Sequence, residues 1–145
     1  MQNFEAMSAL DAKRQAEAQI ARAANCPPWR HAAFGVLMAG LVASPAIRFP
    51  ERFGLLALLL LAIPIIIQSD RKRMGMFING YRRGKTRLVT FPLLFVELGL
   101  YMIALLRNDD GQRPLEPLLL GALALVIGIF GSLLWQRVFV RELGA

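Results

Sequence analysis

A strongly basic segment divides this chain into two apolar halves. Residues 69–87 hold seven of the 17 lysines and arginines, and long apolar runs lie on both sides of the segment. Dense positive charge beside membrane segments stays on the cytoplasmic side. The basic segment therefore predicts that the halves before and after it form two hairpins, which enter the bilayer from the same face.

Four apolar runs are almost free of charge, at residues 29–47, 53–69, 88–106 and 118–136. Each is close to the roughly 20 residues that a helix needs to cross a hydrocarbon core. A helix in a soluble core would show polar positions every three or four residues, and these runs do not. We therefore expect an all-α integral membrane protein with four transmembrane helices in two hairpins, spread over residues 29–137.

The N-terminal segment, residues 1–28, predicts a short cytoplasmic helix. It is rich in alanine, which favours helix. Ser8 is the expected N-cap, and Pro27 and Pro28 should end the helix because proline cannot continue it. Cys26 is the only cysteine, so an intramolecular disulfide is excluded. Residues 138–145 are expected to form a short cytoplasmic tail.

The distribution of basic residues predicts the orientation. In the four-helix arrangement, four of the 17 lysines and arginines fall on one side, namely Arg48, Arg52, Arg107 and Arg113. The other 13 fall on the side of the N-terminal segment, the basic segment and the tail. By the positive-inside rule both ends of the chain are cytoplasmic. Short loops and an Ala-, Leu- and Arg-rich composition indicate a bacterial inner membrane.

Glu97 is the one ionisable residue expected in the middle of a crossing. It lies ten residues beyond Arg87, about 15 Å deep in a core of about 30 Å. Charged groups at this depth face protein or water, not lipid. Thr90 and Tyr101 share its helix face, and Tyr101 could donate a hydrogen bond to the carboxyl. Glu97 is either a proton or cation site or a protonated group that joins helices by hydrogen bonding.

Two stripes of small residues predict close helix packing. Gly35, Ala39 and Ala43 repeat at four-residue intervals in the first crossing, and Ala124, Gly128 and Ser132 do so in the fourth. Small residues at this spacing let helix backbones approach closely in a membrane. They predict contacts with other membrane helices, in a homo- or hetero-oligomer.

The net charge of +7 does not indicate a nucleic-acid partner, because the basic residues flank membrane segments. Anionic lipids on the cytoplasmic side are the expected partners instead. The candidate contacts are the seven basic side chains of the basic segment: Arg71, Lys72, Arg73, Arg82, Arg83, Lys85 and Arg87.

No nucleophile motif, Gly-rich phosphate loop or metal-ligand spacing is present, so neither an enzyme nor a cofactor or metal is predicted. Four crossings and a single buried glutamate resemble the small multidrug exporters. Those proteins carry the glutamate in the first helix, whereas here it lies in the third, and no residue role is carried over.

The first functional hypothesis is an accessory or assembly subunit that acts through helix packing. The alternative is a small proton- or cation-coupled transporter that uses Glu97. A lipid-modifying enzyme is a weaker third possibility, because no catalytic group beyond Glu97 is visible.

Overall fold

The computed structural model describes residues 2–23, 26–74, 84–108 and 112–142. All the regular elements in these ranges are helices. They are α1 (Gln2–Ala23), α2 (Pro28–Ala43), a 3₁₀ turn (Ser44–Ala46), α3 (Glu51–Met74), α4 (Arg87–Arg107) and α5 (Leu115–Glu142).

Prolines set both ends of α2. Pro28 occupies its first turn, where the missing N–H is not needed for a helical hydrogen bond. At the other end, Pro45 has no backbone N–H to donate to the Leu41 carbonyl one turn back, so the α-helical hydrogen bonds stop there. The backbone tightens there into the 3₁₀ turn, which Ser44 stabilises by donating from Oγ to the Leu41 carbonyl at 2.8 Å.

The α1 helix begins earlier than the Ser8 cap predicts. Ser8 lies inside the helix, and its hydroxyl donates to the Glu5 carbonyl one turn back, at 2.9 Å. Serine forms such local bonds in the middle of helices as well as at their starts. The N-cap prediction is therefore wrong, although the helix itself is present.

Helices that follow one another along the chain from α2 to α5 run in alternating directions. Arg30 of α2 pairs with Asp70 near the end of α3, and His31 of α2 meets Ser132 in the second half of α5. Leu93, early in α4, lies against Gly131 of α5. The bundle consequently has two ends, which we call the Arg30 end and the Asn108 end.

In the part of the chain that the structure describes, three helices are long and apolar enough to cross a membrane, over Glu51–Lys72, Arg87–Arg107 and Leu115–Glu142. They identify a multi-pass membrane protein. The helix in the first predicted crossing is shorter than expected: α2 has 16 residues and is about 24 Å long. The Ser44–Ala46 turn adds about 6 Å to its path.

The tightest packing joins α2, α4 and α5. Val42, Ala104 and Ala124, one from each helix, are fully buried together, and Leu100, Tyr101 and Leu120 pack around them. By contrast, α3 makes few contacts with the other helices. Helix α5 also runs on to Glu142, past the predicted end of the fourth crossing, because Phe139 is buried and stacks on Trp135 with 5.2 Å between ring centroids.

Candidate functional site

The two small-residue stripes pack against each other within the chain. A Cβ built on Gly128 would lie 3.1 Å from the Cα of Gly35. A Cβ on Gly121 would lie 2.7 Å from the Ala43 Cβ and 3.0 Å from the Ala39 carbonyl oxygen. The backbones of α2 and α5 therefore touch directly, which only glycine and alanine permit at these positions. The stripes face this internal interface.

A buried polar pair extends the same interface toward the Arg30 end. His31 Nδ1 and Ser132 Oγ are 2.8 Å apart, and the two residues are 4% and 8% exposed. The pair satisfies hydrogen-bonding groups that would otherwise be costly inside the bundle. Ser132 thus belongs to the predicted stripe and also holds the histidine.

Glu97 lies on the inward face of α4, one turn beyond Leu93 and two turns before Ala104. Its residue exposure is 3%, and neither carboxylate oxygen has a hydrogen-bond partner in the described part of the chain. The Leu93–Gly131 contact places it about level with Gly128 of α5, roughly one helical turn from the His31–Ser132 pair. A buried polar group without a partner needs an explanation, and ionisable groups in membrane helices mark functional sites.

The neighbours predicted for Glu97 take other roles. Tyr101 packs against the buried cluster around Val42, and its expected hydrogen bond to Glu97 does not form. Thr90 donates from Oγ1 to the Thr86 carbonyl at 3.1 Å. These three residues share a helix face, as their spacing predicts, but they do not form a hydrogen-bonded site.

An ion pair joins α2 to α3 at the Arg30 end. Arg30 Nε lies 2.9 and 2.8 Å from the two carboxylate oxygens of Asp70, and Arg30 Nη2 lies 2.8 Å from Oδ2. The Asp70 side chain is 5% exposed and the Arg30 side chain 21%. Two-point contact of this kind fixes the relative position of the two helices at this end.

Beyond the ion pair, α2 and α3 border an apolar groove of about 440 Å³. Arg30 and Asp70 lie at one end of it. The remaining lining is apolar: Phe34, Leu37, Met38, Leu41, Leu56, Leu59, Leu60, Ile63, Ile66 and Ile67. We call this feature the α2–α3 groove.

A second contact at the Arg30 end connects α4 and α5. The Glu142 carboxylate accepts a hydrogen bond from the Lys85 backbone N–H, just before α4 begins. Backbone N–H groups at a helix start lack partners within the helix, and negative charge is favourable there. Glu142 therefore caps α4 from the end of α5.

The opposite end is held by Asn108. Its Nδ2 donates to the Pro45 carbonyl, and its Oδ1 accepts from the Arg113 backbone N–H at 3.0 Å. Arg52 also donates to the Pro45 carbonyl from Nη2, at 3.2 Å. One carbonyl after α2 thus connects the start of α3 with the end of α4.

Four of the predicted lipid contacts have exposed side chains: Arg71, Lys72, Lys85 and Arg87. Arg73 belongs to α3, but its side chain is outside the described residues, as are Arg82 and Arg83. The four exposed residues lie at the Arg30 end, on α3 and at the start of α4.

Sequence reasoning missed the Arg30–Asp70, His31–Ser132 and Glu142–Lys85 contacts. A signal existed for the first, because Asp70 is the only acid in the basic segment. Glu142 and His31 carry no comparable sequence signal, since their partners come from distant positions.

No group of three or more potential metal ligands occurs among the described residues. No protein-family model, curated protein or solved structure matches this chain.

Proposed function

We propose that this chain is a non-enzymatic accessory or assembly subunit whose α3 helix packs against a partner membrane protein. The observation that supports the proposal is the uneven packing of the bundle. Helices α2, α4 and α5 form a tight unit through glycine contacts, whereas α3 makes few contacts with them. The small-residue stripes face the interior of the bundle. Among the long apolar helices, α3 therefore has the most surface available for contact with a partner protein.

The outward face of α3 combines one glycine with exposed apolar side chains. Leu58, Leu61 and Ile65 lie along it at helical spacing, each about two-thirds exposed. Gly54 precedes them on the same face, and a Cβ added there would meet nothing within 4 Å. A glycine with no internal contact leaves room for another backbone to approach.

The test is a matched pair of bulky substitutions. Gly54→Leu adds a side chain to the outward face of α3, and Gly99→Leu adds one to α4, where a Cβ also meets nothing within 4 Å. Neither should disturb the fold of the chain itself. The protein, purified in mild detergent at native expression level, is expected to co-isolate with a stoichiometric partner. Gly54→Leu should reduce that partner's yield and Gly99→Leu should not. Equal recovery with both variants would contradict the proposal.

For the topology we propose four crossings in two hairpins, with both ends of this chain cytoplasmic and the protein in a bacterial inner membrane. The 13-to-4 distribution of basic residues and the antiparallel order of α2 to α5 support it. Reporter fusions after Ala145 and at Gly80 should read cytoplasmic, and a fusion at Gly111 should read exterior. An exterior reading at Gly80 would overturn the four-crossing arrangement.

A second candidate function is a proton- or cation-coupled transporter that uses Glu97. It is favoured by one observation: the buried Glu97 carboxyl has no hydrogen-bond partner in the described part of the chain. A group that only joins helices would be expected to have one. Glu97→Gln keeps the size and cannot bind or release a proton in the accessible range. If Glu97 carries transport, the variant at matched protein level loses proton-dependent flux in proteoliposomes; unchanged flux eliminates this function.

A further inference from the structure

The α2–α3 groove has a defined length and one polar end. Along α2 it extends from Arg30 to Leu41, which is about 16 Å of helix. One leaflet of a bilayer has a hydrocarbon depth of about 15 Å, half of a core of about 30 Å. The groove therefore begins at a charged pair and continues, lined by apolar side chains, over the depth of a single leaflet.

Contacts between α2 and α3 at both ends of the groove leave no room for a transmembrane helix between them. Near its far end, Gly40 of α2 and Leu59 of α3 are already in contact, since a Cβ on Gly40 would lie 2.9 Å from Leu59 Cδ2. A helix with its side chains is about 10 Å across and could not enter between helices that touch. An extended alkyl chain is one methylene wide and can lie along such a crevice.

Charge at the open end selects the headgroup. Arg30 lies there with Asp70, and the two residues that follow on α3, Arg71 and Lys72, are exposed. Along the end of α3, basic residues therefore outnumber acidic ones. Trp29, half exposed beside Arg30, is the residue type that lies at the headgroup level of a bilayer. Basic side chains at that level attract anionic phosphate groups.

We propose that the α2–α3 groove binds one acyl chain of an anionic phospholipid, with the lipid phosphate beside Arg30 and Lys72. The site is distinct from the outward face of α3, because the groove lies on the opposite side of that helix. It requires only that α2 and α3 lie in a bilayer, and it does not depend on the partner proposed above.

The test is native mass spectrometry of the purified protein with phosphatidylglycerol or phosphatidylcholine of identical acyl chains. Ile63→Trp fills the groove, and its control is Leu58→Trp on the outward face of α3. Leu37→Phe fills the groove from α2, with Val36→Phe, 56% exposed, as its control. Circular dichroism melting identifies the variants that remain folded. In both groove-filling variants the amount of bound lipid should fall by more than about tenfold, because the acyl methylenes can no longer occupy the groove.

The headgroup is tested with Lys72→Gln, which leaves the Arg30–Asp70 pair in place, against Arg48→Gln at the other end of the bundle. Lys72→Gln should reduce the preference for phosphatidylglycerol by roughly fivefold, as expected for one basic residue near an anionic headgroup. Equal lipid retention by groove-filling and control variants would show nonspecific annular lipid and overturn the proposal. So would conversion of a dimer to a monomer by Ile63→Trp without lipid loss, since the groove would then hold a second copy.

Discussion

Gly35 and Gly128 bring α2 and α5 into backbone contact, at a separation that leaves no room for a Cβ without movement. The contact joins the first residue of the α2 stripe to the middle residue of the α5 stripe. It explains why α2, although only 16 residues long, is held firmly in the bundle. Close approach of this kind replaces the hydrophobic driving force that is missing between helices in lipid.

Gly128→Leu should destabilise the protein by about 3 kcal/mol, the upper part of the range for overpacking. The new side chain would meet the Gly35 backbone and the Met38 side chain, so α2 and α5 would have to separate. The measurement is unfolding in mixed micelles. Gly99→Leu is the control, and it should leave stability unchanged or slightly raised, because it meets open space and a helix gains from losing glycine. Equal losses for the two variants would mean that the contact does not hold the bundle.

Asp70→Asn should cost about 3 kcal/mol, because it leaves the Arg30 guanidinium beside a neutral side chain. Arg30→Gln should cost a similar amount, because the buried Asp70 carboxylate loses its ion pair with the guanidinium. The double variant should recover part of the loss, since removing both charges avoids an unpaired one. A double-mutant cycle on unfolding free energy measures the coupling. Strictly additive losses would show that the two groups do not interact.

Glu142→Gln should destabilise the start of α4 by about 1 kcal/mol, as expected for a weakened helix cap. The backbone N–H of Lys85 would lose a charged acceptor. Hydrogen exchange at the Lys85 amide should accelerate, whereas amides in the middle of α4 should not change. Arg141→Gln, an exposed neighbour, is the control. Unaltered exchange at Lys85 in Glu142→Gln would contradict the capping role.

Asn108→Ala should cost about 2 kcal/mol, because two hydrogen bonds at a buried site disappear together. Asn108→Asp keeps the acceptor for the Arg113 N–H and loses the donor to Pro45. Its loss of stability should therefore differ from that of Asn108→Ala. Chemical unfolding of the three proteins gives the comparison. If Asn108→Ala were as stable as the parent protein, the Asn108 contacts would not hold this end of the bundle.

Much of the architecture could be predicted from local sequence because it depends on local properties. Charge-free apolar runs predict helices wherever backbone groups must be satisfied without water. The three long helices, the helical N-terminal segment and the burial of Glu97 follow from such patterns. The small-residue stripes also predicted close helix packing, as a property of each helix face.

The partner of each face was decided only by the tertiary structure. Residues 35 and 128 are neighbours because α2 and α5 run antiparallel at one register, and spacing along the chain carries no information about register. For the same reason the sequence could not predict that Asp70 pairs with Arg30, that Glu142 caps α4, or that Tyr101 turns toward Val42 and not toward the Glu97 carboxyl. The end of α2, by contrast, has a local cause, because Pro45 has no backbone N–H with which to continue the helical hydrogen bonds. Apolarity and charge along the chain determined which segments are helical and apolar enough for a membrane, whereas packing in three dimensions determined which side chains meet.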